Sequence, residues 1–324
     1  MAILRFNANK SYSGLYIYWL ALFTTLSTYG LIVLGGVVRA TNSGLACPDW
    51  PRCHGELIPP MDMNIMIEYS HRLTAMSVGI LIICLVISMW VWRRNNRPLV
   101  ILTSLSLVLV IIQALIGAAT VDKELSSSIV ALHLFMALTL LSVLISITIL
   151  ALKSSSSNTS TPEMTKQEKL HITTPITTPT GKRYFLLILA IMSLILVGSY
   201  VSNEGAALVY PDWPLFDGKL IPPGGYLAGI HYAHRIMAAA IGLIFLIITI
   251  QIWKSDCSRL ARYAIGAAFL LYIAQIFVGA SNIWLTLATP ARISHLALAS
   301  AVWGLLILSA SWHYLRPIRH HSNL

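Results

Sequence analysis

Charge is the first scarcity. Acidic and basic side chains make up only 10% of the 324 residues, and the 12 acids are outnumbered by 22 lysines and arginines. Soluble domains usually carry about 25% charged residues, so an ordinary soluble enzyme and a disordered chain are both excluded. Cysteine is also scarce. The four present (Cys47, Cys53, Cys84 and Cys257) form no C-x-x-C pair, which removes the common structural zinc sites. The apolar runs are continuous rather than alternating, which excludes a membrane β-barrel. Few Gly or Pro residues interrupt them, which argues against the broken helices of a transporter built from parallel repeats. Met1–Leu15 has neither the apolar core of a cleavable signal nor the Arg/Ser pattern of a transit peptide. It reads as a cytoplasmic lead-in.

Long apolar segments are abundant. The mean hydropathy is +0.74. A helical span needs roughly 20 apolar residues, and eight such spans fall near 16–38, 70–92, 98–119, 127–151, 184–203, 230–253, 260–281 and 292–315. The fold class expected is therefore an all-α polytopic membrane protein. Fifteen of the 22 basic residues, among them Arg93, Arg94, Arg97, Lys182, Arg183 and Arg259, lie on one side. That side is cytoplasmic by the positive-inside rule, which puts both termini inside. The excess of +10 is thus a matter of topology and gives no reason to expect a nucleic-acid partner.

The segment 152–183 is rich in Ser and Thr, contains Pro162, Pro175 and Pro179, and reads as a flexible cytoplasmic linker. The parts on either side of it repeat. Pro48-Asp49-Trp50-Pro51 recurs as Pro211-Asp212-Trp213-Pro214. Gly55-x-Leu57-Ile58-Pro59-Pro60 recurs as Gly218-x-Leu220-Ile221-Pro222-Pro223. Tyr69-x-His71-Arg72 recurs as Tyr232-x-His234-Arg235, Gln113-x-x-x-Gly117 as Gln275-x-x-x-Gly279, and His133 as His295. Four spans per half make the repeat parallel, with a pseudo-two-fold along the membrane normal. The expected architecture is two four-helix bundles, 1–151 and 184–324, each with a long outer loop (roughly 39–69 and 204–229).

Ionisable residues inside spans are costly and usually functional. His71 is expected at the outer end of its span, and His133 about six residues into its own, on the order of 9 Å. His234 and His295 match them. Gln113 is about 15 residues from the inner end of its span, on the order of 22 Å, so it reaches the same layer. A lone intramembrane histidine is usually an interhelical contact. Four at matched positions, two per bundle and at one depth, suit bis-His ligation of heme iron. His54, His171, His313, His320 and His321 lack this pattern and read as solvent-facing, while Cys84 and Cys257 carry no chemistry in this reading. Arg72 and Arg235 suit either carboxylates such as heme propionates or interfacial snorkelling.

The halves differ at one telling position. Glu68 stands three residues before His71, on the same helical face, where the second half has His231. Either it is a carboxylate beside a ligand position or it is an interfacial acid. Cys47 and Cys53 are replaced by Tyr210 and Phe216. On the oxidising side two nearby cysteines form a disulfide, either structural or redox-active, and the aromatic pair could tether the second loop by packing.

The stretch Gly35-Gly36-Val37-Val38-Arg39, the segment Ser43-Gly44-Leu45-Ala46-Cys47-Pro48-Asp49-Trp50-Pro51-x-Cys53 and the box Glu68-Tyr69-x-His71-Arg72 closely resemble the heme A synthase family. The likeness covers nearly all of the chain except the linker. The resemblance implies a bacterial cytoplasmic-membrane oxidase that takes heme O as substrate and oxidises its C8 methyl to the formyl group of heme A, for cytochrome oxidase assembly. It implies a resident heme b ligated by His234 and His295, with Arg235 beside it. The substrate heme would lie between His71 and His133, beside Arg72, with Glu68 at the reacting edge. An electron donor or acceptor and heme O synthase would be its partners. Family members with a second cysteine pair in the later loop differ from this chain. The alternative from the residues alone is a diheme b-type cytochrome exchanging electrons with quinone.

Overall fold

The fold is that of a computed structural model, which describes residues 2–156, 178–222 and 224–315, without side chains for 2–13 and 156. Most of the linker, with His171, and the C-terminal His320 and His321 lie outside the described residues. Eight helices are present among them: α1 (Ala2–Ala40), α2 (Met63–Trp92), α3 (Arg97–Asp122), α4 (Ser127–Ser156), α5 (Pro179–Asn203), α6 (Tyr226–Lys254), α7 (Arg259–Trp284) and α8 (Thr289–Tyr314). All eight are long and apolar enough to cross a membrane. A helix is what apolar sequence must form there, because it satisfies its own backbone without water.

The boundaries differ from the sequence reading in informative ways. Helix α1 continues back to Ala2, so the lead-in is helical. Helices α4 and α5 extend into the two ends of the linker, to Ser156 and from Pro179. Helix α2 starts at Met63 rather than near residue 70, because Asp62 caps it: Oδ1 accepts the N–H groups of Asn64 and Ile65. Asn96, Thr178 and Ser258 cap α3, α5 and α7, and Pro98 and Pro179 occupy first-turn positions that need no donor.

The first and fourth helices form the centre. Helix α1 packs on α2, α4 and α8, and α5 packs on α4, α6 and α8. Helices α4 and α8 meet each other, so each half's first helix lies against the other half's fourth. That is the pattern a two-fold relation between the halves requires. Polar groups fasten this seam. Trp303 donates Nε1–H to the Leu138 carbonyl and to Ser142 Oγ. Tyr29 donates to the Ala297 carbonyl, and Ser146 bonds Ser311. Backbone geometry repeats with the sequence. Glu124 and Leu125 have positive φ after α3, as Thr286 and Leu287 do after α7. His54-Gly55 and Asp217-Gly218 likewise share the left-handed region, where a glycine is the natural second residue.

Replacing Trp303 with Phe keeps an aromatic ring but removes two cross-seam hydrogen bonds and part of the buried volume. The expected loss is about 1 kcal/mol, read as a lower unfolding midpoint in detergent micelles. An unchanged midpoint would show that the seam does not depend on them.

Candidate active site

The four repeated histidines sit at matched depths. His71 and His234 each lie eight residues into α2 and α6, and His133 and His295 each six residues into α4 and α8. The first pair is therefore deeper than expected, about 12 Å along its helix, and closer to the level of the second pair. His133 lies within electrostatic reach of His71, and His295 of His234.

Each ring is seated against a glycine of a neighbouring helix. A Cβ placed on Gly35 would stand 3.2 Å from Cε1 of His71, and one on Gly117 3.3 Å from Cε1 of His133. The second half repeats this, with Gly198 at 2.8 Å from His234 and Gly279 at 3.1 Å from His295. Gln113 Nε2 donates to the His133 carbonyl at 3.0 Å, and Gln275 Nε2 to the His295 carbonyl at 2.8 Å. These glutamines fix the backbone that carries each second imidazole. Gly117 and Gly279 were visible beforehand as part of the Gln repeat and Gly35 as part of the Gly35-Gly36-Val37-Val38-Arg39 stretch, none of them as a seat for a ring, and Gly198 was not noticed. The signal for it was present: Gly35 and Gly198 are separated by the same interval as His71 and His234.

Nδ1 of all four rings is buried and makes no hydrogen bond, while each residue keeps intermediate exposure. The accessible part of each ring is therefore its Nε2–Cδ2 side. A buried polar atom without a partner costs about 1–3 kcal/mol. The same cost borne at four matched positions shows that the rings are held for the nitrogen left open, and Nε2 of a neutral imidazole is a ligand for heme iron. The residues present thus fit a bis-imidazole iron porphyrin in each half.

Glu68 and Arg72 occupy the outer side of the first pair. Glu68 is 4% exposed. Its Oε1 accepts from Arg72 at 2.5 Å and its Oε2 accepts the Cys47 N–H at 2.9 Å. Arg72 also donates to the carbonyls of Cys47, Asp49 and Arg52. Cys47 and Cys53 are joined as a disulfide. The acid, its arginine and the disulfide loop thus form one unit over the histidines. Glu68 shares a helix face with His71 but spends both oxygens on this unit.

The second half keeps the frame and changes its chemistry. Arg235 donates to the carbonyls of Asp212 and Leu215, the counterparts of Asp49 and Arg52. Its Nε donates to His231 Nε2 at 3.0 Å, where Arg72 met a carboxylate. Tyr210 and Phe216 stack edge to face at 5.5 Å in place of the disulfide, and Arg235 lies over the Phe216 ring at 4.4 Å. The aromatic tether expected from the sequence is present.

Other residues resolve differently. His54 is exposed, as expected, with Nε2 against the Ala46 carbonyl. His313 is not solvent-facing: it is 6% exposed in α8, and Nδ1 lies 3.4 Å from Sγ of Cys257, which is buried too. The helix ends at Tyr314, close to the expected boundary, and turns this residue to the interior, where the ring packs beside Tyr184 and Tyr314. Cys84 is exposed on α2.

Fold and site together define a class: multi-pass helical membrane proteins with imidazole pairs on facing helices and a tied outer loop. The sequence model of the COX15-CtaA family, described as cytochrome oxidase assembly protein, matches residues 18–307, and the chain belongs to that family. It is 29% identical over 295 residues to the heme A synthase of Alkalihalophilus pseudofirmus, spanning 89% of this chain and 95% of the relative. It is 32% identical over 299 residues to that of Shouchella clausii (89% and 93%). The Staphylococcus aureus heme A synthase is 28% identical over 290 residues (89% and 92%).

Two predictions follow from this geometry. Gly198→Ala places a methyl group inside contact distance of His234, and the ring must turn or shift. Lower heme content per chain and an altered Soret band are expected, whereas Gly224→Ala, with open space around it, serves as the control. A parent-like spectrum for Gly198→Ala would refute the seating. The second concerns the loops. The N–H groups of Gly55 and His54 hold the Asp49 carboxyl below the usual carboxylate range, as those of Gly218 and Asp217 do for Asp212. A depressed pKa stabilises the turn above the ordinary value of about 3.9 and ceases to as pH falls through the folded value. Hydrogen exchange at Gly55 should stay slow at neutral pH and lose protection on acidification. Asp49→Asn should abolish that pH dependence, and a persistent dependence would assign it elsewhere.

Proposed function

We propose that this chain is a membrane oxidoreductase that converts heme O to heme A. Its second half, 184–324, holds a resident heme b through His234 and His295. Its first half, 1–151, receives the substrate heme between His71 and His133. The observation that carries the assignment is the exchange of the residue one turn outward of the first histidine on the repeated frame: an ion-paired, buried Glu68 where the other half has His231. Family membership and the names of the relatives support the reaction class. Both termini face the cytoplasm, on the distribution of basic residues.

A methyl carbon offers no leaving group and no acidic proton. The bound iron porphyrin supplies the redox chemistry that side chains lack. The residues of the chain do the rest. The two imidazoles of each half orient a macrocycle at one depth. The loop closed by Cys47–Cys53 and clamped by Arg72 covers the outer side and limits water. Glu68 stands one turn outward of His71, and the second lone pair on each carboxylate oxygen, beyond the bonds to Arg72 and the Cys47 N–H, is what would stabilise positive charge at the substrate edge or take up protons released as the methyl is oxidised. An electron partner and the source of the new oxygen lie outside this chain. The diheme-carrier alternative predicts equal chemistry in both halves, and the Glu68/His231 exchange counts against it.

The test is co-expression with a heme O producer, followed by mass analysis of the extracted pigments. Glu68→Ala is expected to keep the resident heme and to lose heme A formation by at least about a hundredfold, the lower range for a positioned acid–base group. Heme A produced at the parent rate would remove Glu68 from the reaction.

A further inference from the structure

A pair of arginines at the seam is absorbed neither by the frame nor by the proposed reaction. Arg39 closes α1 and Arg292 opens α8, so they come from different halves. Arg292 donates to the carbonyls of Ala40 (2.9 Å) and Arg39 (3.2 Å), which brings its guanidinium onto the end of α1. Arg39 donates through Nε to Asn203 Oδ1 at 2.9 Å, at the end of α5. Three helix ends thus meet at the outer surface, and the two cations feel each other's charge.

Capping of α1 explains part of Arg292. It does not explain Arg39, whose two amino groups make no further hydrogen bond among the described residues. Neither arginine pairs with a carboxylate among the described residues, although both are half-buried. Like charges held together at a half-buried helix junction without a carboxylate favour a bound anion. The uncapped start of α8 adds the positive end of its dipole, since Ala288 contributes no side-chain cap.

The position of the pair indicates which anion. Arg39 lies four residues beyond Gly35, the seat of His71, and Arg292 lies three residues before His295. Both spacings keep to one helix face, so the pair stands one turn outside the imidazole layer, between the two halves. We propose that Arg39 and Arg292 form an oxyanion clamp across the seam, whose ligand is the propionate edge of a porphyrin held in that layer. The proposal rests on the heme reading above. The shared chemistry is an oxyanion; an anionic lipid phosphate is the other source.

The test uses the full-length chain purified with its resident heme into phosphatidylglycerol nanodiscs, as parent, Arg39→Gln, Arg39→Lys and Arg292→Gln. Readouts are the resonance-Raman propionate bending band, the midpoint potential of the resident heme, and the phospholipid retained after transfer to detergent. Both Gln variants should shift the propionate band and lower the potential, because a cation nearby favours the reduced iron. Arg39→Lys should restore most of the potential. Loss of retained phosphatidylglycerol with unshifted heme readouts would overturn the propionate ligand and assign the clamp to lipid phosphate. Parent-like behaviour in every readout would overturn the clamp altogether. Because Arg292 also caps α1, Arg39→Gln decides if Arg292→Gln fails to fold; its glutamine can still donate to Asn203. A colourless parent would instead overturn the heme reading itself, and the porphyrin ligand with it.

Discussion

An imidazole can lie between two helices only where the facing backbone comes close without a side chain. At each of the four histidines that place is a glycine hydrogen, and a Cβ there would stand 2.8–3.3 Å from the ring. The interhelical distance, the rotamer of the ring and the direction of its free nitrogen are all set by this one missing atom. Small residues at helix contacts are a general device in membranes, where burial gives helices little reason to associate. Here the device also aims a ligand, because a ring held at its Cε1 corner is left open only on the Nε2 side.

The duplicated bundle separates what is kept from what is varied. The arginine after each inner histidine, its grip on loop carbonyls, the aspartate that ties the turn and the glutamine on the fourth helix's backbone recur with unchanged partners. The variation is confined to a cluster above one imidazole pair: a carboxylate for a histidine, and a disulfide for two stacked rings. Such a cluster changes charge and stiffness locally while the geometry beneath stays common to both halves.

Much of this was legible in the sequence. The spans follow from apolar length and the repeat from a constant interval. The four histidines stood out because ionisable groups are rare in spans. Helix starts were missed where a single capping side chain sets them, as Asp62 does for α2, since hydropathy carries no signal for a cap. The partners of Glu68 and Arg72 were not legible either. Their contacts are main-chain groups of Cys47, Asp49 and Arg52, and carbonyl positions leave no mark in the residue letters. His313 was misread because a place near the end of a span does not tell which way the side chain faces, and this one turns inward beside Cys257.

The arginine grip on main-chain carbonyls has an evolutionary side. Anchors made to C=O groups are indifferent to the side chains borne by the residues that supply them. A segment fastened in this manner is free to exchange cysteines for aromatics, or basic tips for neutral ones, without coming loose. Two copies of one loop can therefore diverge in their side chains while both keep the same shape.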